Sequence, residues 1–128
     1  MSEPLRIVVQ FDVNRTSPNR MSGLHWAEKG DLQRIAKELA RYCWERAGRP
    51  TLAPPVRVDI IVRRGRRMDA DNALAGCRGL INGLFKGAVT QDDGPDFLQL
   101  GTLTQECGKS WKGAPEVEFI ISSVELGG

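Results

Sequence analysis

Residues 63–100 read RRGRRMDADNALAGCRGLINGLFKGAVTQDDGPDFLQL. A basic turn, Arg63 to Arg67 around Gly65, leads straight into two aspartates, Asp69 and Asp71. Leu74, Cys77, Leu80, Ile81 and Leu84 then recur at helical spacing, which predicts a helix from about Asn72 to Phe85 with those side chains facing the core. Gly76, Gly79 and Gly83 lie inside it at a cost of about 1 kcal/mol each against alanine. Glycines repeated at that spacing let another backbone approach closely. Gly87 supplies the stop signal. A turn through Gln91 to Asp96, marked by Gly94 and Pro95, carries the second carboxylate pair, Asp92 and Asp93. A strand is expected over 97–103.

The pattern extends outward on both sides. Upstream, Val56, Val58, Ile60 and Val62 alternate with Arg57, Asp59 and Ile61, so residues 56–62 form a strand. Before it, Leu32, Ile35, Ala36, Leu39, Tyr42 and Cys43 share one face of a helix that Gly48 and Pro50 terminate. Leu5 to Val13 reads as a first strand, followed by a polar loop from Asn14 to Gly23. Val117 to Val124 reads as the last strand. Gly108 to Pro115 forms the loop before it and carries Lys109 and Lys112. The order strand, helix, strand, helix, strand, strand implies an α/β (α+β) single domain over residues 1–128. The expected architecture is a mixed four-stranded sheet with two packed helices.

The 128 residues suffice for one hydrophobic core, and 41% apolar with 27% charged residues is the composition of a folded globular chain. The apolar runs are far too short to span a bilayer. The N-terminal stretch has one basic residue, Arg6, and no apolar segment with a small-residue cleavage site, so the expected location is cytoplasmic. Three widely spaced cysteines, Cys43, Cys77 and Cys107, and a single histidine, His25, do not supply a zinc-ligand set. The cysteines read as buried free thiols. Without a second histidine, HNH-type and Cys–His chemistries lack a base. No phosphate-loop or dinucleotide fingerprint occurs, so no nucleotide cofactor is expected. The EF-hand pattern started at Asp69 fails at Ala73, Leu74 and Leu80.

The net charge of +2 is uninformative, but its distribution is not. Four arginines stand immediately before an aspartate pair, as expected where a metal and a polyanion meet. Asp69 and Asp71 are two apart, and in an extended segment such side chains point the same way. If the chain folds back, Asp92 and Asp93 can join them. Carboxylates are hard ligands suited to Mg²⁺, with Mn²⁺ as the alternative ion. Each group also has an ordinary reading. Asp69 or Asp71 can cap the helix, Asp92, Asp93 and Asp96 can serve the turn, and the arginines can be a solvated loop.

The run R-R-M-D-A-D-N, a helix, then D-D and a strand resembles the RusA endodeoxyribonucleases, a family common in prophages that resolves Holliday junctions. Most of the chain falls in family order, including the Asn14 loop and the G-K-S-W-K-G loop before the last strand. The resemblance implies a homodimer with a mixed α/β fold that places two Mg²⁺ sites on opposed strands of branched DNA, the four-way junction. It makes Asp69 and Asp71 the two D-x-D carboxylates and Asp93 the third catalytic aspartate. Asp92, also a candidate metal ligand, and Asn72 take accompanying positions. Members usually carry a lysine in the helix after D-x-D-N. Its nearest equivalent here is Arg78, with Ala75 at the position a shorter helix would use. This helix reads about one turn longer than in some members, and Asn82 stands where the family often has Asp.

The expected activity is Mg²⁺-dependent cleavage of a junction by paired nicks. Arg66, Arg67 and Arg78 would meet phosphates around the cut, with Arg63, Arg64, Lys86, Lys109 and Lys112 as further DNA contacts. The competing readings are a non-catalytic module for branched DNA, a nuclease for other branched or flap DNA, and a structural or interaction protein.

Overall fold

A computed structural model describes residues 3–124. The fold is a single α+β domain built on one mixed four-stranded sheet. Its strands are β1 (Leu5–Val9), β2 (Val56–Arg64), β3 (Leu98–Cys107) and β4 (Glu116–Ser123). The helices are α1 (Pro18–Met21), α2 (Trp26–Arg46), α3 (Ala70–Gly76) and α4 (Arg78–Phe85). The strand order is β1-β4-β2-β3, with β4 antiparallel to both β1 and β2, and β2 parallel to the edge strand β3.

One sheet face is apolar for the reason the alternation in β2 suggests. Val56, Val58, Ile60 and Val62 all turn inward, and Ile7, Val9, Val117, Phe119 and Ile121 join them from β1 and β4. From the helices, Ala36, Ala40, Cys77, Leu80 and Leu84 close this core. The opposite face is polar. There Arg63 donates to Glu106 (2.6 Å), Glu116 (2.8 Å) and Glu118 (2.7 Å), and Arg6 donates to Glu118 (2.9 Å).

The two expected helices are present with changes. α2 is longer than its apolar stripe implies, and it presents Ala36 and Ala40 to the glycines of α4 while Ile35 and Tyr42 remain exposed. Small residues bring α2 and α4 together. A Cβ on Gly83 would strike the Lys37 carbonyl, and one on Gly79 would lie 2.6 Å from Gln33 Oε1. The second helix is pinched at Cys77 into α3 and α4. At the pinch the Thr16 hydroxyl donates to the Gly76 carbonyl at 2.7 Å, and a Cβ on Gly76 would collide with the Val13 carbonyl. Gly87, at φ 70°, takes the left-handed conformation just beyond the α4 cap.

The expected first strand is shorter: it ends at Val9, residues 10–12 are irregular, and Val13–Thr16 winds into a 3₁₀ turn capped by Asp12. β3 runs four residues past its expected end. As an edge strand it needs little apolar surface, so its last four residues, TQEC, carry no alternation to read. Among the described residues, no helix is long and apolar enough to cross a membrane.

Candidate metal and nucleic-acid site

β2 delivers the chain to the site. After Arg64 the backbone leaves the sheet, and Gln105 on β3 takes hold of it at Met68. The Gln105 carbonyl accepts from the Met68 N–H at 2.9 Å, and its amide donates to the Met68 carbonyl at 2.8 Å. One side chain thus pins both polar groups of Met68 beside β3 and sets the entry to Asp69. Residue-type patterns give no reason to single out Gln105, because its role exists only across the β2–β3 pairing.

Asp69 is the N-cap of α3, with extended backbone (φ −58°, ψ 135°) and a carboxylate that accepts from the Asn72 N–H at 3.4 Å. Asn72 enters the site through that backbone group. Asp71 is already in the first helical turn, so the alternation expected of an extended D-x-D does not apply. Both carboxylates are exposed at the positive end of the helix, where a negative charge is favoured.

The second pair is elsewhere. Asp93 accepts from the Asn82 side-chain amide at 3.2 Å. It lines a groove of about 520 Å³ with Arg78, Asn82, Leu74 and Leu98. Asp92 folds back to accept the Asp93 N–H at 2.8 Å, which is a turn role. The expectation that the two pairs meet is therefore corrected. β3 lies parallel to β2, so the chain must travel back along α3 and α4 before it re-enters the sheet. The returning loop meets Asn82 on α4, and Asp93 shares its groove with Leu74, three positions beyond Asp71. Among the described residues, no three His, Cys, Asp or Glu side chains group as a metal site.

The arginine run divides in two. Arg63 points to the polar sheet face, is 15% exposed, and is held by three carboxylates with the Trp111 ring 5.6 Å away. The Glu106 hydrogen bond, followed by those from Glu118 and Glu116, holds its guanidinium firmly protonated against the opposing effect of burial. This geometry serves the fold rather than a phosphate. Arg64 donates to Asp12 (3.1 Å) and to the Arg66 carbonyl (2.8 Å). Arg66, Arg67, Arg78 and Lys86 are exposed, and none has a carboxylate within ion-pair distance among the described residues.

The remaining reactive side chains are accounted for. Cys77 is fully buried and its thiol is pushed up to about 12 by that burial, so it is inert as a nucleophile or ligand. Cys43 is half-buried and Cys107 exposed, so the expectation of buried thiols holds for Cys77 alone. His25 caps α2, its Nδ1 accepting from the Ala27 N–H at 3.3 Å.

The donor chemistry fits a hard cation at Asp69 and Asp71. Mg²⁺ is commonly held by one or two carboxylates with waters and substrate phosphate, without an all-protein cage. A three-carboxylate cage including Asp93 does not fit the present arrangement. Compared with models of known protein families and with curated proteins, the sequence matches none.

Proposed function

We propose that the chain is a Mg²⁺-dependent, structure-specific DNA endonuclease of the RusA type, acting as a homodimer on four-way junctions. The observation that carries the reading is the order of groups along one crossover: Arg66 and Arg67, without an ion-pair partner among the described residues, Asp69 and Asp71 at the helix mouth, then Arg78 facing the groove that holds Asp93. Acids beside free cations are expected where a phosphodiester is bound and hydrolysed, and a module that only binds DNA has no need of them.

Asp69 and Asp71 would hold the ion. When bound, Mg²⁺ neutralises phosphate charge and makes water more acidic. The chain's own part is positional. The Gln105 clamp and the Asn72 N–H fix the backbone and carboxylate of Asp69. Arg67 and Arg78 meet non-bridging phosphate oxygens with the planar donor fork suited to them. Asp93 enters the reading through the family resemblance, and Asn82 orients it. Two such sites related by a two-fold axis suit paired nicks on opposed strands.

That no three carboxylates group together among the described residues favours one alternative, a non-catalytic module for branched DNA. A calorimetric titration of Mg²⁺ and Mn²⁺ into wild type, Asp71→Asn and Asp93→Asn separates the two. The nuclease reading expects binding that Asp71→Asn abolishes, and the Asp93→Asn result shows whether that residue shares the ion. Absence of binding by wild type, with and without junction DNA, favours the module.

A further inference from the structure

The C-terminal ends of β2 and β3 hold a second cluster of charge, away from the Arg78 groove. A cavity of about 420 Å³ is lined there by Asp12, Arg64, Gly65, Arg66, Lys109, Lys112 and Pro115. Four of these are cations and one is an acid. The acid is already engaged, since Asp12 Oδ1 accepts from Arg64 Nε at 3.1 Å and from the Asn14 N–H at 3.0 Å. Arg66, Lys109 and Lys112 have no carboxylate within ion-pair distance among the described residues. Arg6, Arg34, Arg49, Arg57 and Arg63 all have one. Like charges gathered without a counter-charge repel one another, and an anion placed between them removes that penalty.

The walls are fixed relative to one another. Arg64 is 16% exposed and donates through Nη1 to the Arg66 carbonyl at 2.8 Å, which sets the turn. The Gly108 N–H donates to the Arg64 carbonyl at 3.2 Å, tying the lysine loop to β2. Lys112 packs on the turn so closely that a Cβ on Gly65 would lie 3.2 Å from its own Cβ. Lys109 and Lys112 are joined through a 3₁₀ turn by a 3.2 Å backbone bond. No aromatic side chain lines the cavity for a base to stack on. Trp111, between the two lysines, packs against Arg63 instead.

We propose that Arg64, Arg66, Lys109 and Lys112 form one phosphate-holding pocket that anchors the DNA backbone outside the cleavage position. The proposal rests on the nuclease reading for the identity of the polymer. Its ligand is a phosphodiester of that DNA, bound without sequence preference.

The test uses the whole chain in EDTA, so that cleavage plays no part. Binding of a labelled four-way junction is followed by fluorescence anisotropy between 50 and 200 mM salt. Every phosphate that the protein no longer neutralises makes the slope of log K against log[salt] shallower by about 0.9. Lys109→Ala/Lys112→Ala is expected to weaken binding and to make the slope shallower by about 0.9 or more. Lys109→Arg/Lys112→Arg should keep the wild-type slope, and Arg46→Ala/Arg49→Ala, at the far end of α2, should leave it unchanged. Thermal melting shows that each variant folds. Tight binding by the Lys109→Ala/Lys112→Ala protein with an unchanged slope overturns the pocket and leaves the nuclease reading standing. No junction binding by wild type overturns both. Inorganic phosphate at matched ionic strength is the second arm. If phosphate erases the difference between wild type and the alanine variant, both ligands compete for the pocket, as the proposal expects. If wild type binds phosphate and the alanine variant does not, yet the two bind the junction with the same salt slope, the pocket takes free phosphate and the assignment to DNA fails.

Discussion

Replacing Gln105 by alanine should loosen the approach to Asp69 without touching a carboxylate. The side chain makes two hydrogen bonds to Met68, of 2.9 and 2.8 Å, and Met68 is half-buried. A net contribution of about 1 kcal/mol per bond gives a loss of about 2 kcal/mol. For a domain of this size that lowers Tm by roughly 6–10 °C. Gln105→Glu keeps the acceptor for the Met68 N–H but sets a carboxylate oxygen against the Met68 carbonyl in place of a donor, so it should lose at least half as much. Thr104→Ala, on the same edge strand without the clamp, controls for strand propensity. Calorimetry gives the stability, and hydrogen exchange at the Met68 amide gives the local effect, which should quicken in Gln105→Ala. If Gln105→Ala melts with Thr104→Ala and the Met68 amide exchanges at the wild-type rate, the clamp does not position the site.

Three further predictions concern the packing and the charges. Gly83→Ala should lower Tm although alanine favours the helix by about 1 kcal/mol, because its Cβ strikes the Lys37 carbonyl; Gly30→Ala, with open space around it, should raise Tm slightly. Arg63→Ala leaves Glu106, Glu116 and Glu118 without their shared partner, so urea denaturation should show a loss at neutral pH that shrinks as the carboxylates are protonated. Glu118 is pushed up by burial, but the hydrogen bonds and charges of Arg6 and Arg63 outweigh this and hold it below its ordinary 4.5. A depressed folded value contributes stability above the unfolded one that is lost as pH falls. Urea midpoints of wild type should therefore drop below about pH 4.5, and less steeply in Glu118→Gln.

The parts of the fold legible in the sequence are those where one face must be apolar. The period of two in Val56–Val62 and the helical recurrence of Leu80 and Leu84 have one solution each, because burial enforces them. The glycines of the second helix are legible as points of close approach, although not what approaches them: the Val13 and Lys37 carbonyls come from distant segments. The second half of β3 is hidden by its edge position, which demands no pattern. The face of α2 is misleading in sequence because Ala36 and Ala40 allow close packing on the core while larger residues beside them stay in solvent. At the candidate site, the composition of the D-x-D-N region is visible and its spatial grouping is not. The parallel pairing of β2 and β3 sets where the loop carrying Asp93 meets α4, at Asn82, and no local pattern encodes that pairing. Arg63 and Arg64 look alike in the basic run, yet adjacent strand residues face opposite ways, and Arg63 meets three glutamates supplied by β3 and β4.

The central claim is metal-dependent junction cleavage by Asp69 and Asp71. It is tested most directly by incubating a synthetic four-way junction with wild type in Mg²⁺, with wild type in EDTA, and with Asp71→Asn in Mg²⁺. The account predicts paired, symmetric nicks in the first reaction and none in the other two. Junction binding without nicks by wild type, in both Mg²⁺ and Mn²⁺, would contradict it.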